Sequence, residues 1–343
     1  MSEYSYLVLQ SLNEVYKNTK QKMAFKAKNK KEWQAWRKKL KAKIIELLGG
    51  FPAKKCALDP QIISRTEDDT VIIREKIVLT SESGIDIPAY LLIPKDLKGP
   101  VPAVVALHGH LPEAKEMISG MPALNEERRK YMVDTHHDYG YQIARRGFVV
   151  LVPDQRCFGE REDKDMANSG GFCHRSAMSA LLLGKTMIGM RVWDVIREID
   201  YLQTRKEVIP DRIGVAGLSG GGTTTLFSAA LDERLKAAVV SGYFCTFKDS
   251  IFNIFHCTCN FVPHILEYAE MYDIASLIAP RAVLVETGST DPIFPQPAVK
   301  AAFEKLKKVY KLLKIEDKAD IDAFEGDHMW SGAKAYDFLK KQL

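Results

Sequence analysis

Apolar residues recur at steps of three and four early in the chain and in short unbroken runs later; the change falls near residue 70. Before it, Trp33, Trp36, Leu40, Ile44 and Leu47 make one stripe opposite a field of lysines, which predicts a helix. Gly49-Gly50 ends that helix and Pro52 prevents its resumption. After it, 71–79 and 85–93 are β-rich runs joined by Ser81-Glu82-Ser83-Gly84, a hairpin. The run 101–107 is fully apolar, as in a buried parallel strand. A helix over 139–146 and a strand over 148–152 follow, then a helix over 186–205 with Met187, Met190, Val195, Ile196, Ile199 and Leu202 on its apolar face. Strands are expected at 213–216, 235–240, 282–286 and 321–324, and helices at 223–231, 297–313 and 332–343. An antiparallel pair followed by alternating strands and helices predicts an α/β fold: a mostly parallel sheet with helices on both faces. Reactive groups in such sheets gather at the carboxyl ends of the strands.

Two segments break the alternation: the polar, irregular 159–184 and the aromatic-rich 242–272. Both read as insertions capping a pocket. With no repeat and no Gly/Ser-rich linker, residues 1–50 form a helical arm and 51–343 one elaborated domain.

Charge sharpens the picture of the arm. The chain carries +5 overall, but residues 17–43 hold twelve Lys/Arg against the single Glu32, a local +11, so the remainder is about −6. A basic helix with its lysines in water and its Trp face docked on the body accounts for this. Contact with nucleic acid or an anionic membrane is the other reading, and no base-reading motif supports it. No apolar run approaches 18 residues, so no membrane span is expected. The six cysteines form no paired framework; with only a short apolar run at 6–9, no export signal is read and a cytoplasmic location is expected. The Trp-bearing helix can dock on its own body or on a second subunit, so a homo-oligomer is allowed.

Candidate chemistry centres on Gly217-Leu218-Ser219-Gly220-Gly221, between a predicted strand and a predicted helix. Glycines two before and two after the serine let strand and helix pass closely, leaving Ser219 at the apex with its hydroxyl outward. A serine hydroxyl needs a histidine to take its proton, and that histidine needs an acid to orient it. In a sheet wound this way the acid follows a later strand and the histidine follows the last one. Asp291 lies after the strand 282–286, and His328 after the last strand. Asp249 is the rival acid. The backbone N–H of Gly220 and that of His110, in the turn Leu107-His108-Gly109-His110, are candidate donors for an oxyanion. His108, Arg156, Phe158 and Tyr243 are candidates to line the pocket. For His108 the competing reading is a loop pin; for Arg156, with Asp154, Glu160 and Arg161, it is a salt-bridge cluster bracing neighbouring loops.

His256-Cys257-Thr258-Cys259, with His264 beyond, invites a metal hypothesis. Zinc pairs are usually two to four residues apart and no second cysteine pair follows. The segment therefore reads as part of a cap, and no metal or cofactor is expected.

Together, His108-Gly109-His110, the run Asp154 to Gly159, the glycine-flanked Ser219, Asp291-Pro292 and His328 resemble the α/β-hydrolase superfamily. Within it they are similar to acetyl xylan esterase and dienelactone-hydrolase-like carboxylesterases. The resemblance spans about residues 70–343 and implies an α/β-hydrolase fold, hydrolysis of small carboxylic esters through an acyl-enzyme, and no metal. Acetyl xylan esterases often carry Gln after the serine and Glu after the histidine, where Gly220 and Met329 stand here. Dienelactone hydrolases use a cysteine where Ser219 stands. The resemblance thus implies a serine esterase reaction without naming the substrate. Peptide or amide cleavage on the same residues, and a non-catalytic binding protein using the basic arm, are the alternative readings.

Overall fold

A computed structural model describes residues 7–67, 72–121, 124–163 and 173–343. Val71, expected to begin a strand, and residues 164–172 of the first expected insertion lie outside them. In chain order the described elements are helices α1 (Val8–Asn18) and α2 (Lys30–Leu47), then strands β1 (Gln61–Glu67), β2 (Ile72–Glu82), β3 (Ile85–Pro94) and β4 (Val101–Leu107). Helices α3 (Ala114–Ile118), α4 (Glu126–Asp134) and α5 (Tyr139–Ala144) lead to β5 (Val149–Pro153), followed by α6 (His174–Leu182) and α7 (Met187–Leu202). Then come β6 (Val208–Leu218), α8 (Gly220–Leu231), β7 (Leu235–Ser241), α9 (Ile265–Tyr268), α10 (Met271–Ala275), β8 (Ala282–Gly288), α11 (Gln296–Leu313), β9 (Ala319–Phe324) and α12 (Ala335–Gln342).

All nine strands form one sheet in the order β1-β2-β3-β5-β4-β6-β7-β8-β9. The pairs β1/β2, β2/β3 and β3/β5 are antiparallel, and every pair from β5/β4 to β8/β9 is parallel. Strands β4, β5 and β8 are buried almost throughout, the signature of a sheet covered on both faces. One core face holds Val105, Val215, Val240, Val192 and Ile199, with Leu226 and Phe227 of α8. The other holds Val104, Ala216, Val239, Leu284, Tyr139, Trp330 and Leu339. Strand β1 is the one the periodicity does not foretell. It is an edge strand exposed along its whole length, so no alternation marks it.

The lysine-opposed stripe packs as its spacing requires: Trp33, Leu40 and Ile44 are buried in the first core, with Trp36 and Leu47 partly buried against it. Part of the basic charge is neutralised within the chain, since Arg37 and Lys41 both reach Glu233 at 3.0 Å. Lys22 reaches Glu267 at 2.8 Å. No helix among the described residues is long and apolar enough to cross a membrane.

Glu286 of β8 is wholly inside, and one of its carboxylate oxygens accepts from Gly332 N at 3.0 Å, tying the segment after β9 to the sheet. Burial raises its carboxyl from the ordinary 4.5 to about 7. The folded chain therefore holds a proton that the unfolded chain releases first. The stabilisation from this group is full at low pH and is lost as pH rises from about 4.5 to 7. Glu286→Gln keeps the acceptor oxygen and cannot ionise. Denaturant unfolding should show the stability of this variant relative to wild type growing by about 3 kcal/mol across that window.

Candidate active site

The serine sits where β6 turns into α8. Ser219 has φ 60° and ψ −121°, a region that residues with a side chain rarely occupy. Two bonds hold it there: its N–H donates to the Ser241 carbonyl at 3.0 Å, and its carbonyl accepts from Thr223 N at 2.9 Å. The turn is tight because the helix starts against the strand. A Cβ on Gly217 would lie 2.5 Å from the Gly221 carbonyl carbon, and one on Gly221 would fall inside the Leu107 carbonyl group. Gly220 is the first residue of α8, so its N–H has no acceptor within the helix.

The loop after β4 lies directly over this turn. A Cβ on Gly109 would come within 3.0 Å of Ser219 Cβ, so the backbone beside His110 is packed on the serine. His108 holds the loop from beneath. Its Nδ1 donates to the Gly109 carbonyl (2.7 Å), and its Nε2 accepts from Gln155 N (2.9 Å). The Gln155 side-chain amide donates to the His108 carbonyl, and Thr224 of α8 donates to the amide oxygen of Gln155. Burial lowers His108 to about 4, so it is a neutral ring with both nitrogens in use.

Asp291 and His328 meet across the loops after β8 and β9. His328 Nδ1 lies 2.8 Å from Asp291 Oδ2, while Asp291 Oδ1 accepts from Ile293 N and Phe294 N at 2.9 and 3.0 Å. The carboxylate is thus fixed by its own following turn and is 6% exposed. Phe294 stacks on the His328 ring at 5.8 Å. Gly242 gives the ring room, because a Cβ there would lie 2.9 Å from His328 Cε1. Below, Trp330 is fully buried and stacks on Tyr139 at 4.4 Å, anchoring the loop that carries His328. Asp249, the rival acid, is exposed and bonded to Thr246, away from the histidine.

Ser219, Gly220, His110 and His328 line one cavity of about 360 Å³. Its walls include Tyr131, His137, Tyr243, His256, Asn260, Ile293 and Phe294, with Phe255 at the mouth, 93% exposed. Of the four residues expected to line the pocket, Tyr243 does so. His108 and Phe158 are buried behind the His110 loop, with Phe158 edge-on to both imidazoles. Arg156 points away into a bidentate pair with Asp194 (2.9 and 2.7 Å) and to Glu82 (2.6 Å), the bracing cluster that was its competing reading. Asp154 and Glu160 likewise close on Lys115 at 2.6 Å each. Of the two insertions, 242–272 supplies the cavity wall. In the described part of 159–184, α6 stands behind it, with His174 Nδ1 3.1 Å from Thr258 Oγ1.

Sequence reasoning missed His137 and His256 as wall residues. His137 bonds Thr135 Oγ1 at 2.6 Å and His256 bonds Ser250 Oγ at 2.9 Å; burial lowers each to about 4, so both are neutral at pH 7. Each arrives on a loop whose path no local pattern encodes.

A mostly parallel sheet with a strained serine between strand and helix, and a histidine–acid pair on later loops of the same edge, is the arrangement of an α/β hydrolase. The chain belongs to the Abhydrolase family, whose model matches residues 3–312 and so includes the N-terminal helices. YtaP of Bacillus subtilis (strain 168), a protein named as a hydrolase, is 31% identical over 278 residues, covering 78% of this chain and 85% of its own. A structure named as an acetyl xylan esterase from Bacteroides fragilis superposes with a TM-score of 0.80 at 20% identity, covering 94% of this chain and 82% of that one. A glucuronoyl esterase from Solibacter usitatus superposes with a TM-score of 0.70 at 15% identity, covering 92% and 94%. These two likenesses are likenesses of fold.

The close approach at the serine turn is directly testable. Gly221→Ala must push α8 off β4, and in denaturant unfolding it should destabilise the fold by about 3 kcal/mol or more. Gly50→Ala has open space around it but a φ of 69°, and should lose only about 1 kcal/mol.

Proposed function

We propose that this protein is a serine hydrolase that cleaves carboxylic esters of small acyl groups through an acyl-enzyme intermediate. The observation that carries the reading is the 2.8 Å Asp291–His328 pair facing the same cavity as a serine held at φ 60°. With His328 Nδ1 engaged by Asp291, Nε2 is the nitrogen left to take the proton of Ser219 Oγ. Ser219 attacks the ester carbonyl, and the carbonyl oxygen becomes an oxyanion. The N–H groups of Gly220 and His110 hold that charge, each donor supplying about 3 kcal/mol of transition-state stabilisation. His328 then gives its proton to the leaving alcohol. Water, deprotonated by the same ring, attacks the acyl-enzyme and frees Ser219.

Cavity shape bears on the acyl group. Neutral imidazoles and aromatic rings form its walls, which suits an uncharged acyl portion. The exposed face of Phe255 at the mouth offers a platform for the apolar face of a ring in the alcohol portion. Acetylated sugars therefore belong in the substrate panel beside p-nitrophenyl acetate and butyrate.

Wild-type protein should turn over p-nitrophenyl acetate faster than butyrate. Ser219→Ala should lower kcat by about 10⁴-fold or more, and Asp291→Asn by about 10⁴-fold at neutral pH, because the histidine loses its orienting carboxylate. Stopped or steady-state kinetics on folded variants reads both. Turnover that survives Ser219→Ala would move the chemistry to another residue, and turnover that survives Asp291→Asn would remove Asp291 from the mechanism.

A further inference from the structure

Behind the His110 loop, four side chains converge that the esterase chemistry does not use. One ligand atom from each of His110, Cys173, Cys257 and Cys259 falls within 4.8 Å of every other. Tetrahedral zinc, with Zn–S about 2.3 Å and Zn–N about 2.0 Å, sets its ligand atoms roughly 3.5–3.8 Å apart, so a contraction of about 1 Å or less closes the set. His110 Nε2 is already 3.1 Å from Cys259 Sγ. Its ring is held edge-on by Phe158, and Nδ1 is on the side facing Gly220. The nitrogen directed at the thiols is therefore the one free of the active-site turn.

Three separate segments supply the ligands. His110 follows β4, Cys173 precedes α6, and Cys257 and Cys259 flank the single 3₁₀ turn Thr258–Asn260, which brings the two thiols of a Cys-x-Cys pair to one side. The short spacing that argues against zinc in the linear sequence is completed by residues far away in it. The apolar cluster here is small and separate from both main cores: Ala114, Cys157, Phe158, Cys173, Ala177, Met187 and Cys259. A region with so little apolar surface to bury gains from a metal tie.

An independent observation concerns charge. Arg191 of α7 is 2% exposed, and its guanidinium lies 3.2 Å from Cys173 Sγ. Its other bond goes to the Arg156 carbonyl, and among the described residues it pairs with no carboxylate. A buried, unpaired cation is strongly unfavourable. Zinc bound by three thiolates and one imidazole carries a net −1, which is the counter-charge this arginine lacks.

We propose that His110, Cys173, Cys257 and Cys259 bind one zinc ion in a closed, structural Cys₃His site. Three thiolates and an imidazole favour zinc over hard cations such as magnesium or calcium. With all four positions taken by protein, the ion has no place for substrate or water and acts as a tie. It joins the cavity wall 242–272, α6 and the His110 loop. The consequence for catalysis rests on the proposed oxyanion role of the His110 N–H: the metal would fix the backbone that carries that donor. Zinc binding itself does not depend on that role.

The test is metal content of untagged full-length protein produced with added zinc and freed of loose metal by gel filtration. Elemental analysis should find about one zinc per chain. Cys173→Ser and Cys257→Ser should each lose most of it, and His110→Cys, which keeps four ligands, should retain it where His110→Ala does not. Ser219→Ala should keep its zinc whether or not the esterase reading stands. Cobalt exchanged into the unmodified wild-type chain should give thiolate-to-cobalt charge transfer in the near ultraviolet, a readout that survives any misfolding of the cysteine variants. Wild-type protein that holds under about a tenth of an equivalent and gives no such band overturns the proposal. So does zinc content unchanged in folded Cys173→Ser and Cys257→Ser, or a mass two hydrogens short that shows these thiols joined as a disulfide.

Discussion

The constraint on which the rest depends is the contact between the start of α8 and the ends of β4 and β6. Gly217 and Gly221 let the helix begin where any side chain would collide with the strand or with the Leu107 carbonyl. That contact forces Ser219 into its strained backbone conformation, at a cost of about 1–3 kcal/mol, which buried neighbours must outweigh. It also aims the Gly220 amide outward and seats the Gly109–His110 backbone on the serine. Tyr139 contributes from the other layer by donating to the Leu107 carbonyl at 2.6 Å, while its ring carries Trp330 and so the loop of His328. One packed junction thus positions three groups that lie more than two hundred residues apart in sequence, from His110 to His328.

Around the junction, polar groups divide by task. His108, Arg156, Asp194 and Lys115 are spent on holding loops, each paired at short range inside the protein. Asp291 spends one oxygen on its own turn and the other on His328, which fixes the imidazole while leaving its far nitrogen to the cavity. The pocket walls are neutral, so a carboxylate–imidazole pair and a pair of amides dominate the field at the serine. The proposed zinc tie sits one layer out, under the same His110 loop, and would stiffen the only wall that is built from irregular chain.

How much of this the sequence discloses follows from which signals are local. The sheet strands β4 to β8 are short apolar runs, and the Ser, Asp, His order falls on their carboxyl ends, so the fold class and the three residues are legible from residue type and position. Strand β1 and helix α4 are not: neither buries a residue, so neither carries a period. Ser219, Asp291 and His328 are readable because each closes a strand. His137, His256 and Phe294 are not, because only the tertiary path of their loops brings them to the cavity. The Cys₃His cluster is the extreme case. His110 and Cys173 are 63 residues apart, and each looks unremarkable where it stands. Arg156 shows the converse, since a charged residue on the reactive edge was structural after all.

The central claim is that Ser219 is the nucleophile and that His328 activates it. Mass spectrometry of the intact, folded chain after brief exposure to a serine-reactive fluorophosphonate tests it most directly, with the adduct located by peptide mapping. The account predicts a single adduct on Ser219, formed quickly in wild type and only very slowly in His328→Ala. An adduct on another residue, labelling equally fast without His328, or no adduct in folded protein would contradict it.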